Sequence, residues 1–326
     1  MKYLSDQNKT TLVHESGTYG AGSGVEWWIG LVQSHEPNEA MNVIPIRYQG
    51  SADRNVDDFV DGNMDYTGTL TFFPQDLRLL GFAIGSIAET ATVGSHTITE
   101  TNSNQSCYNV TNQSLPSFQI KDWKVNTVAG SNFVRTYGGC LVDSFTLSAT
   151  QGEVVSCEVG YVAQNATFSS GASLGISGVQ TYRPYIFSDV QLFIPSGALN
   201  VLDNLTDITF TVNNNIEPAH FLTGSRQIKE GLPLNRDYEV TATAVTDSVN
   251  AKTLYDQYYV GGSQFNAMLK LSATTTGSAY IIMSGCKMTD MSIPSPLDSV
   301  QETSMTFVPQ HVSASVADTI VDYLAW

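Results

Sequence analysis

Residues 139–148 read Gly-Cys-Leu-Val-Asp-Ser-Phe-Thr-Leu-Ser, and residues 285–294 read Gly-Cys-Lys-Met-Thr-Asp-Met-Ser-Ile-Pro. The second stretch repeats the first at an offset of 146 residues, and apolar and polar side chains alternate in both. The next segment keeps the offset, because Cys157–Val162 corresponds to Thr303–Val308. Alternation with a period of two is typical of half-buried β-strands. The sequence therefore predicts one β-hairpin that occurs twice.

The repeat extends upstream of both hairpins. Tyr66–Thr71 matches Tyr238–Thr243, and a helix candidate follows each copy, at Pro74–Ile84 and at Ser248–Val260. Glycines end both candidates, as they commonly end helices. A third helix candidate spans Val316–Leu324. Most of the remaining chain has strand patterning, so we expect a mainly β fold.

The repeat also suggests a division of the chain. We predict a first β domain over residues 1–170 and a second over residues 171–326, joined near the Gly- and Ser-rich stretch Ser169–Gly175. The alternative is one enlarged domain built from all these strands, in which the repeat does not correspond to two separate domains.

Composition excludes several classes of protein. The chain has 326 residues, 42% of them hydrophobic and 14% charged, with a formal net charge of −16. Binding to nucleic acid phosphates draws on lysine and arginine, so a chain this acidic should not hold DNA. The first residues lack an apolar stretch of signal-peptide length, and no long apolar run follows. We therefore expect folding in a cytoplasm and no association with a membrane.

Sequence patterns of catalysis and metal binding are absent. No G-x-S-x-G elbow, C-x-x-C pair or H-E-x-x-H motif occurs, and the five histidines lie far apart. The acidic run from Asp53 to Asp65 departs from the EF-hand pattern at Asp58 and Met64. We interpret that run as a solvated loop, with cation binding left open. We expect no enzyme activity, no cofactor and no metal.

The first hairpin resembles a known family. Gly139-Cys140-Leu141-Val142-Asp143-Ser144-Phe145-Thr146-Leu147, followed by Gly152-Glu153-Val154-Val155-Ser156-Cys157-Glu158-Val159-Gly160, is similar to the central hairpin of tail tube proteins from long-tailed bacteriophages and related archaeal viruses. The second hairpin is a degenerate copy, with Met288, Asp290 and Pro294 at three positions of the pattern.

The resemblance implies two tandem tube-like β-sandwich domains, each with a flanking helix. Sheets of neighbouring subunits would join into a closed β-barrel around a channel for viral DNA. Two domains per chain favour rings of three subunits with pseudo-sixfold symmetry, and six subunits are the alternative. Rings would stack coaxially in the virion tail after folding in the host cytoplasm. DNA would pass through without specific binding.

Other tail proteins would be partners, such as the tape measure, tail terminator and distal tail proteins. A competing class is a virion decoration protein or a receptor-binding, adhesin-like protein. Such a protein would also be acidic, rich in β-structure and without catalytic residues. The two classes differ in assembly, because a tube subunit polymerises into hollow rods.

Alternation divides each hairpin into two faces. The inward face carries Phe145, Leu147, Cys157, Val159 and Tyr161 in the first copy and Met291, Ile293, Met305 and Phe307 in the second. The polar face would line the channel according to the family resemblance, and an ordinary solvent-facing sheet would show the same alternation. The candidate lining residues are Thr67, Thr69, Thr71, Ser144, Thr146, Ser156, Glu158, Glu239, Thr241, Thr243, Asp290, Ser292, Glu302, Ser304 and Thr306.

Overall fold

The structure is a computed structural model. It describes residues 8–15, 19–20, 26–49, 55–89, 95–100, 115–125, 132–170, 176–177, 183–195, 199–202, 204–222, 224–246, 248–273, 277–295, 297 and 300–317.

The described chain is mainly β, as expected from the alternation. The strands before residue 171 are β1 Lys9–His14, β2 Glu26–Trp28, β3 Leu31–Ile46, β4 Asp58–Phe73, β5 Gly85–Glu89, β6 Ser95–Glu100, β7 Phe118–Lys124, β8 Phe133–Thr150, β9 Ser156–Ala163 and β10 Asn165–Ser170. The later strands are β11 Ile176–Ser177, β12 Val190–Pro195, β13 Leu199–Val201, β14 Leu205–Asn213, β15 Ile216–Ala219, β16 Glu230–Pro233, β17 Asp237–Val245, β18 Phe265–Ala273, β19 Gly277–Ser292, β20 Glu302–Val308 and β21 His311–Ala317.

Two short helices follow β4 and β17, where the sequence predicts them. Helix α1 spans Arg78–Ile84, so it begins later than the predicted start at Pro74. Helix α2 spans Ser248–Thr253 and continues as a π-helix over Leu254–Val260. The third predicted helix is wrong at its start, because residues 316 and 317 belong to β21 and pair with β19. The rest of that candidate lies outside the described residues.

Eight antiparallel strands form what we call the central sheet. Their order is β3, β4, β9, β8, β14, β17, β20, β19. The sheet passes from the first copy of the repeat to the second at the junction of β8 with β14, where seven residue pairs join Ser144–Thr150 to Asp207–Asn213. One sheet thus combines both copies of the hairpin.

Two flanking sheets share strands with the central sheet. The first has the order β11, β2, β1, β7, β8, β10, with a parallel pair only at β11–β2. The second has the order β13, β12, β18, β19, β21, β6, β5. The amino-terminal parts of β8 and β19 belong to the flanking sheets, and their carboxyl-terminal parts belong to the central sheet.

The register of the strands repeats as well. In the first copy, Val142 faces Tyr161 and Ser144 faces Gly160, with an irregularity between the two pairs. In the second copy, Met288 faces Phe307 and Asp290 faces Thr306, again with an irregularity between them. Each residue of the second set lies 146 positions after its counterpart.

The flanking sheets repeat a second irregularity. Phe118 faces Cys140 next to a register shift in β7–β8, and Phe265 faces Cys286 next to a register shift in β18–β19. The two Gly-Cys motifs therefore lie at corresponding bulges. Bulges bend a strand and increase its twist, which suits the point where β8 and β19 pass from one sheet to the next.

The sheets do not follow the predicted division of the chain. Strands β5 and β6 precede residue 171, yet β6 pairs with β21 in the second flanking sheet. The boundary between residues 170 and 171 remains a prediction.

A single large hydrophobic cluster lies between the central and flanking sheets and includes residues of both copies. Phe145 and Phe210 meet across the β8–β14 junction with ring centroids 6.5 Å apart. Each fully buried side chain of this size stabilises the fold by about 1.5–3 kcal/mol. Helix α1 contributes Leu80, Phe82 and Ile84 to the same cluster.

The predicted inward residues are buried, with the exception of Ile293. Leu147 is 2% exposed, whereas Ile293 at the corresponding position of the second copy is 38% exposed. The inward prediction for Ile293 is therefore wrong. Strand β19 ends at Ser292, and Pro294 follows, so the alternation does not continue into a strand.

The prediction of a loop for the acidic run is also wrong for most of its length. The sequence suggests a loop over Asp53–Asp65, but the residues from Asp58 onward lie in β4 and pair with β3. Asp53 lies outside the described residues. The strand forms because β3 satisfies its backbone hydrogen bonds, although its side chains are mostly exposed.

Candidate functional site

The candidate site is the face of the central sheet that points away from the hydrophobic cluster, which we call the polar face. All fifteen candidate lining residues lie on it, since along their strands they alternate with residues that are mostly buried. The structure thus brings together residues from six strands that are far apart in sequence.

Directly opposite residues form rows across the strands. One row runs Thr71, Glu158, Thr146, Thr211 and Glu239, from β4 through β9, β8 and β14 to β17. A neighbouring row extends further into the second copy of the repeat, as far as β19. It runs Ser156, Ser148, Thr209, Thr241, Thr306 and Asp290. The polar face is therefore continuous across the junction of the two copies.

Sequence reasoning missed three groups of residues on this face. They are Ser34, Glu36 and Asn38 of β3, Ser148 and Thr150 of β8, and Asp207, Thr209, Thr211 and Asn213 of β14. The β14 stretch Leu-Thr-Asp-Ile-Thr-Phe-Thr-Val-Asn alternates as clearly as the two hairpins, and that signal could have identified it. In β3 most side chains are exposed on both sides over residues 39–46, so no alternation marks it.

Side-chain oxygens contact one another across the strands of this face. Thr150 Oγ1 donates to Asp207 Oδ2 at 2.7 Å, and Ser148 Oγ lies 3.4 Å from Thr209 Oγ1. In the second copy, Thr243 Oγ1 lies 3.4 Å from Ser304 Oγ. Cross-strand pairs of this kind stabilise a sheet by a few tenths of a kcal/mol each, roughly 0.2–1 kcal/mol.

The charge on the polar face is negative. Its carboxylates belong to Glu36, Asp65, Glu158, Asp207, Asp237, Glu239, Asp290 and Glu302. Within the eight strand segments that pair in the central sheet, Lys287 is the one lysine or arginine, and its Nζ donates to the carbonyl of Gly262. A surface on which carboxylates greatly outnumber cations repels phosphate rather than binding it.

A buried polar cluster lies beneath the sheet, on the inner side of β3, β7 and β9. His35 Nε2 and the Tyr161 hydroxyl are 2.8 Å apart, and Lys124 Nζ lies 2.7 Å from Asp122 Oδ2. Burial opposes ionisation of Asp122, but His35 and Lys124 outweigh it, so its pKa lies below the ordinary value. Burial raises the pKa of the Tyr161 hydroxyl far above its usual range. These groups join the layers and do not reach the polar face.

The described residues do not form a metal-binding cluster. No group of three or more His, Cys, Asp or Glu that could hold a metal ion occurs in the described part of the chain. Cys140, Cys157 and Cys286 are buried as free thiols, and burial raises the pKa of Cys286 to about 12. Cys107 lies outside the described residues. None of the described helices is long and apolar enough to cross a membrane.

The comparisons with known proteins agree with the resemblance noted in the hairpins. The model of the family described as phage tail tube protein matches residues 47–317, which is most of the chain. The chain belongs to the phage tail tube protein family. This tube protein is accordingly a structural protein of the virion tail.

The tube protein is similar at 11% identity to the SPP1 tail tube, whose structure was determined by solid-state NMR and cryo EM. That similarity covers 43% of this chain and 87% of the SPP1 chain, with a TM-score of 0.33. No curated protein matches the chain. The family assignment follows from the match to the family model. Membership implies self-assembly into a tube and association with other tail proteins.

Proposed function

We propose that this protein forms closed rings that stack coaxially into the tail tube, and that the polar face of its central sheet lines the channel through which viral DNA is ejected. The observation that carries the proposal is the continuous eight-stranded sheet, with one face packed on the core and the other polar and acidic. In this proposal DNA slides past without specific binding, because the described strand segments of the central sheet carry many carboxylates and a single lysine, Lys287.

The two edges of the central sheet support ring closure. In the described residues, β3 pairs only with β4, and residues 287–292 of β19 pair only with β20. Open edges recruit further strands, and closure of a sheet into a barrel removes them. Pairing of the β19 edge of one copy with the β3 edge of the next would close such a ring.

The internal repeat supports three subunits per ring. Each chain supplies two copies of the four-stranded unit, β3-β4-β9-β8 and β14-β17-β20-β19. Three chains would therefore present six equivalent units and pseudo-sixfold symmetry. A ring of six chains is the alternative, and it would roughly double the circumference of the channel.

The distal part of the β3–β4 hairpin offers a surface for contacts between rings. Beyond the residues that pair with β9, the hairpin exposes large apolar side chains, among them Met41, Ile44 and Phe59. Apolar side chains at this density mark interaction surfaces. Because the hairpin is continuous with the β3 edge, we propose a further copy of this chain as its partner.

Localisation and partners follow from a structural function in the tail. We propose that the protein folds in the host cytoplasm, assembles in the virion tail and contacts the tape measure, tail terminator and distal tail proteins. It acts as a conduit and not as an enzyme. The competing function, a decoration or adhesin-like protein, would give a discrete oligomer that binds a glycan or receptor.

Assembly is the decisive test. Purified protein imaged by electron microscopy should form hollow rods, and a reconstruction should place the polar face toward the lumen with three chains per ring. Native mass spectrometry of released rings gives the subunit number independently. A protein that stays monomeric at high concentration, and that occurs outside the tail in virions, would contradict the proposal.

A further inference from the structure

The junction between β8 and β14 provides a template for the junction between subunits. We infer that β19 of one copy pairs with β3 of the next in one defined antiparallel register, with Asp290 opposite Ala40, Met291 opposite Glu39 and Ser292 opposite Asn38. The inference rests on the proposed ring, and it adds the register of the joint.

The first step is the equivalence of β3 and β14. Against its neighbour β4, β3 has Val32 opposite Phe72 and, after a register shift, Ser34 opposite Thr71. Strand β14 shows the same arrangement against β17, with Leu205 opposite Ala244 and Asp207 opposite Thr243 on the two sides of a shift. Further along, Asn38 faces Thr67 as Thr211 faces Glu239. Each residue of β3 thus corresponds to the residue 173 positions later.

The second step is the equivalence of β8 and β19. Their registers against β9 and β20 coincide at an offset of 146 residues, bulge included. Ser144 therefore corresponds to Asp290, Phe145 to Met291, and Thr146 to Ser292.

The register of the internal β8–β14 junction predicts the register between the two edge strands, β19 and β3. Within the chain, Ser144 faces Asn213, Phe145 faces Val212 and Thr146 faces Thr211. Replacing each residue by its equivalent gives the three pairs stated above. Four of the edge residues involved, Asn38, Ala40, Asp290 and Ser292, are exposed in the single chain.

The exposure of Ile293 is explained by the same joint. Its equivalent, Leu147, faces Phe210 of β14 and is 2% exposed. Ile293 is 38% exposed because no strand of the described residues lies in the place that β14 occupies next to Leu147. In the inferred register Ile293 lies opposite Pro37 of the neighbouring copy, so the ring buries an apolar side chain that the single chain leaves accessible.

The register is also compatible with the charges. The polar-face pairs are Asp290 with Ala40 and Ser292 with Asn38, so no two carboxylates are directly opposite, an arrangement that would destabilise a sheet. Glu39 points to the inner side, where the Arg135 guanidinium and the Tyr137 hydroxyl donate to its carboxylate. The negative charge of Glu39 is therefore already neutralised by Arg135 when Glu39 lies opposite the apolar Met291.

Two prolines limit the length of the joint. Pro37 lies within β3, and Pro294 follows β19 two residues after its last strand residue. Proline cannot donate to a ladder and is tolerated at sheet edges. The internal β8–β14 junction lacks proline over its seven pairs. The joint between subunits should therefore separate under denaturant before the internal junction does.

Disulfide trapping tests the register. Directly opposite Cα atoms in an antiparallel pair are roughly 4.5–5.5 Å apart, within the range that a disulfide spans. The double variant Asn38→Cys/Ser292→Cys, in a Cys107→Ser background, should give covalent oligomers when preformed tubes are oxidised. With every joint closed, the largest product should be a trimer.

Two matched variants control the experiment. Thr146→Cys/Thr211→Cys places the equivalent pair within one chain, so it should give a cross-linked monomer and no oligomer. Glu36→Cys/Ser292→Cys shifts the pairing by two residues, and we expect at least tenfold less cross-linking than for the in-register pair. If the Asn38/Ser292 variant does not assemble, Ala40→Cys/Asp290→Cys replaces it.

The outcomes separate the register from the function. Tubes that form but cross-link equally in both registers, or only in the shifted one, would overturn the register and leave the tube function intact. A hexamer as the largest product would support the register and overturn the ring of three. Absence of tubes from the unmodified protein would instead overturn the proposed function.

Discussion

Gly139 and Gly285 adopt the same left-handed backbone conformation, with φ angles of 63° and 64°. Both N–H groups donate to a side-chain oxygen, that of Gly139 to Glu15 Oε1 at 2.9 Å and that of Gly285 to Asn266 Oδ1 at 3.1 Å. The equivalence therefore includes the way in which the bend of β8 and of β19 is held.

Replacement of either glycine by alanine should destabilise the protein. A Cβ at residue 139 would lie 2.8 Å from the Cβ of Gln164, in addition to the strain of a left-handed residue, which costs about 1–2 kcal/mol. We expect a loss of about 2–3 kcal/mol for Gly139→Ala in urea unfolding of unassembled protein. Gly152→Ala is the control, because residue 152 has a φ of 86° with nothing near a Cβ. Equal losses for the two variants would refute the steric part of the prediction.

The buried side chain of Asn214 joins three elements. Its Nδ2 donates to the carbonyls of Ala83 at 2.8 Å and Val142 at 2.9 Å, and its Oδ1 accepts from Arg236 Nε at 2.9 Å. Asn214→Ala would remove these three buried hydrogen bonds, so we expect a loss of about 3 kcal/mol in the free energy of unfolding. Asn63→Ala, at an exposed position of β4, should cost less than about 0.5 kcal/mol. Thermal unfolding monitored by circular dichroism measures both, and a similar cost for both would contradict the assignment.

Acid should destabilise the protein through Asp122. The pKa of this carboxyl is lower in the folded protein than its ordinary value of 3.8, although burial alone would raise it. A depressed pKa gives stability that is present above the ordinary value and is lost as the pH falls through the folded value. The free energy of unfolding, measured by urea titration between about pH 5 and pH 3, should fall less steeply in Asp122→Asn than in the unmodified protein. Parallel curves would show that His35 and Lys124 do not stabilise the carboxylate.

Reversal of charge on the polar face tests the lining. Tubes of Glu158→Lys/Glu302→Lys should assemble normally, but virions that carry them should eject DNA slowly or stall, since lysines attract the phosphates. The effect should grow at low ionic strength, because salt screens charges beyond about 8 Å under physiological conditions. Glu217→Lys/Glu230→Lys introduces the same charge in the separate β15–β16 hairpin and should leave ejection unchanged. Normal ejection by the first variant, timed by fluorescence of released DNA, would contradict the lining.

Local alternation predicted much of the candidate site. Its two faces were assigned correctly for Phe145, Glu158 and Phe307, because a strand packed on a core on one side must alternate. The alternation failed at Ile293, because no strand in the described part of the chain lies beside it. It also missed β3, whose side chains are largely exposed and whose strand form depends on pairing with β4.

Pairings between strands far apart in the chain could not be predicted from the sequence. Nothing in the residues of β6 indicates that Ile98 faces Ala314 of β21, more than two hundred positions later. Such a pairing is determined by how the sheets pack and not by local preference, so the predicted domain boundary could not account for it.

Strands β8 and β19 each run through two sheets, and this has a mechanical consequence. A force that pulls on the polar face is carried by continuous covalent backbone into the flanking sheets, so the inner layer cannot slide over the outer one without breaking hydrogen bonds in both. Each subunit should therefore respond to bending or internal pressure as a single stiff block. In the proposed tube, the contacts between stacked rings would then let a long rod curve, while the stiff blocks keep the width of each ring constant.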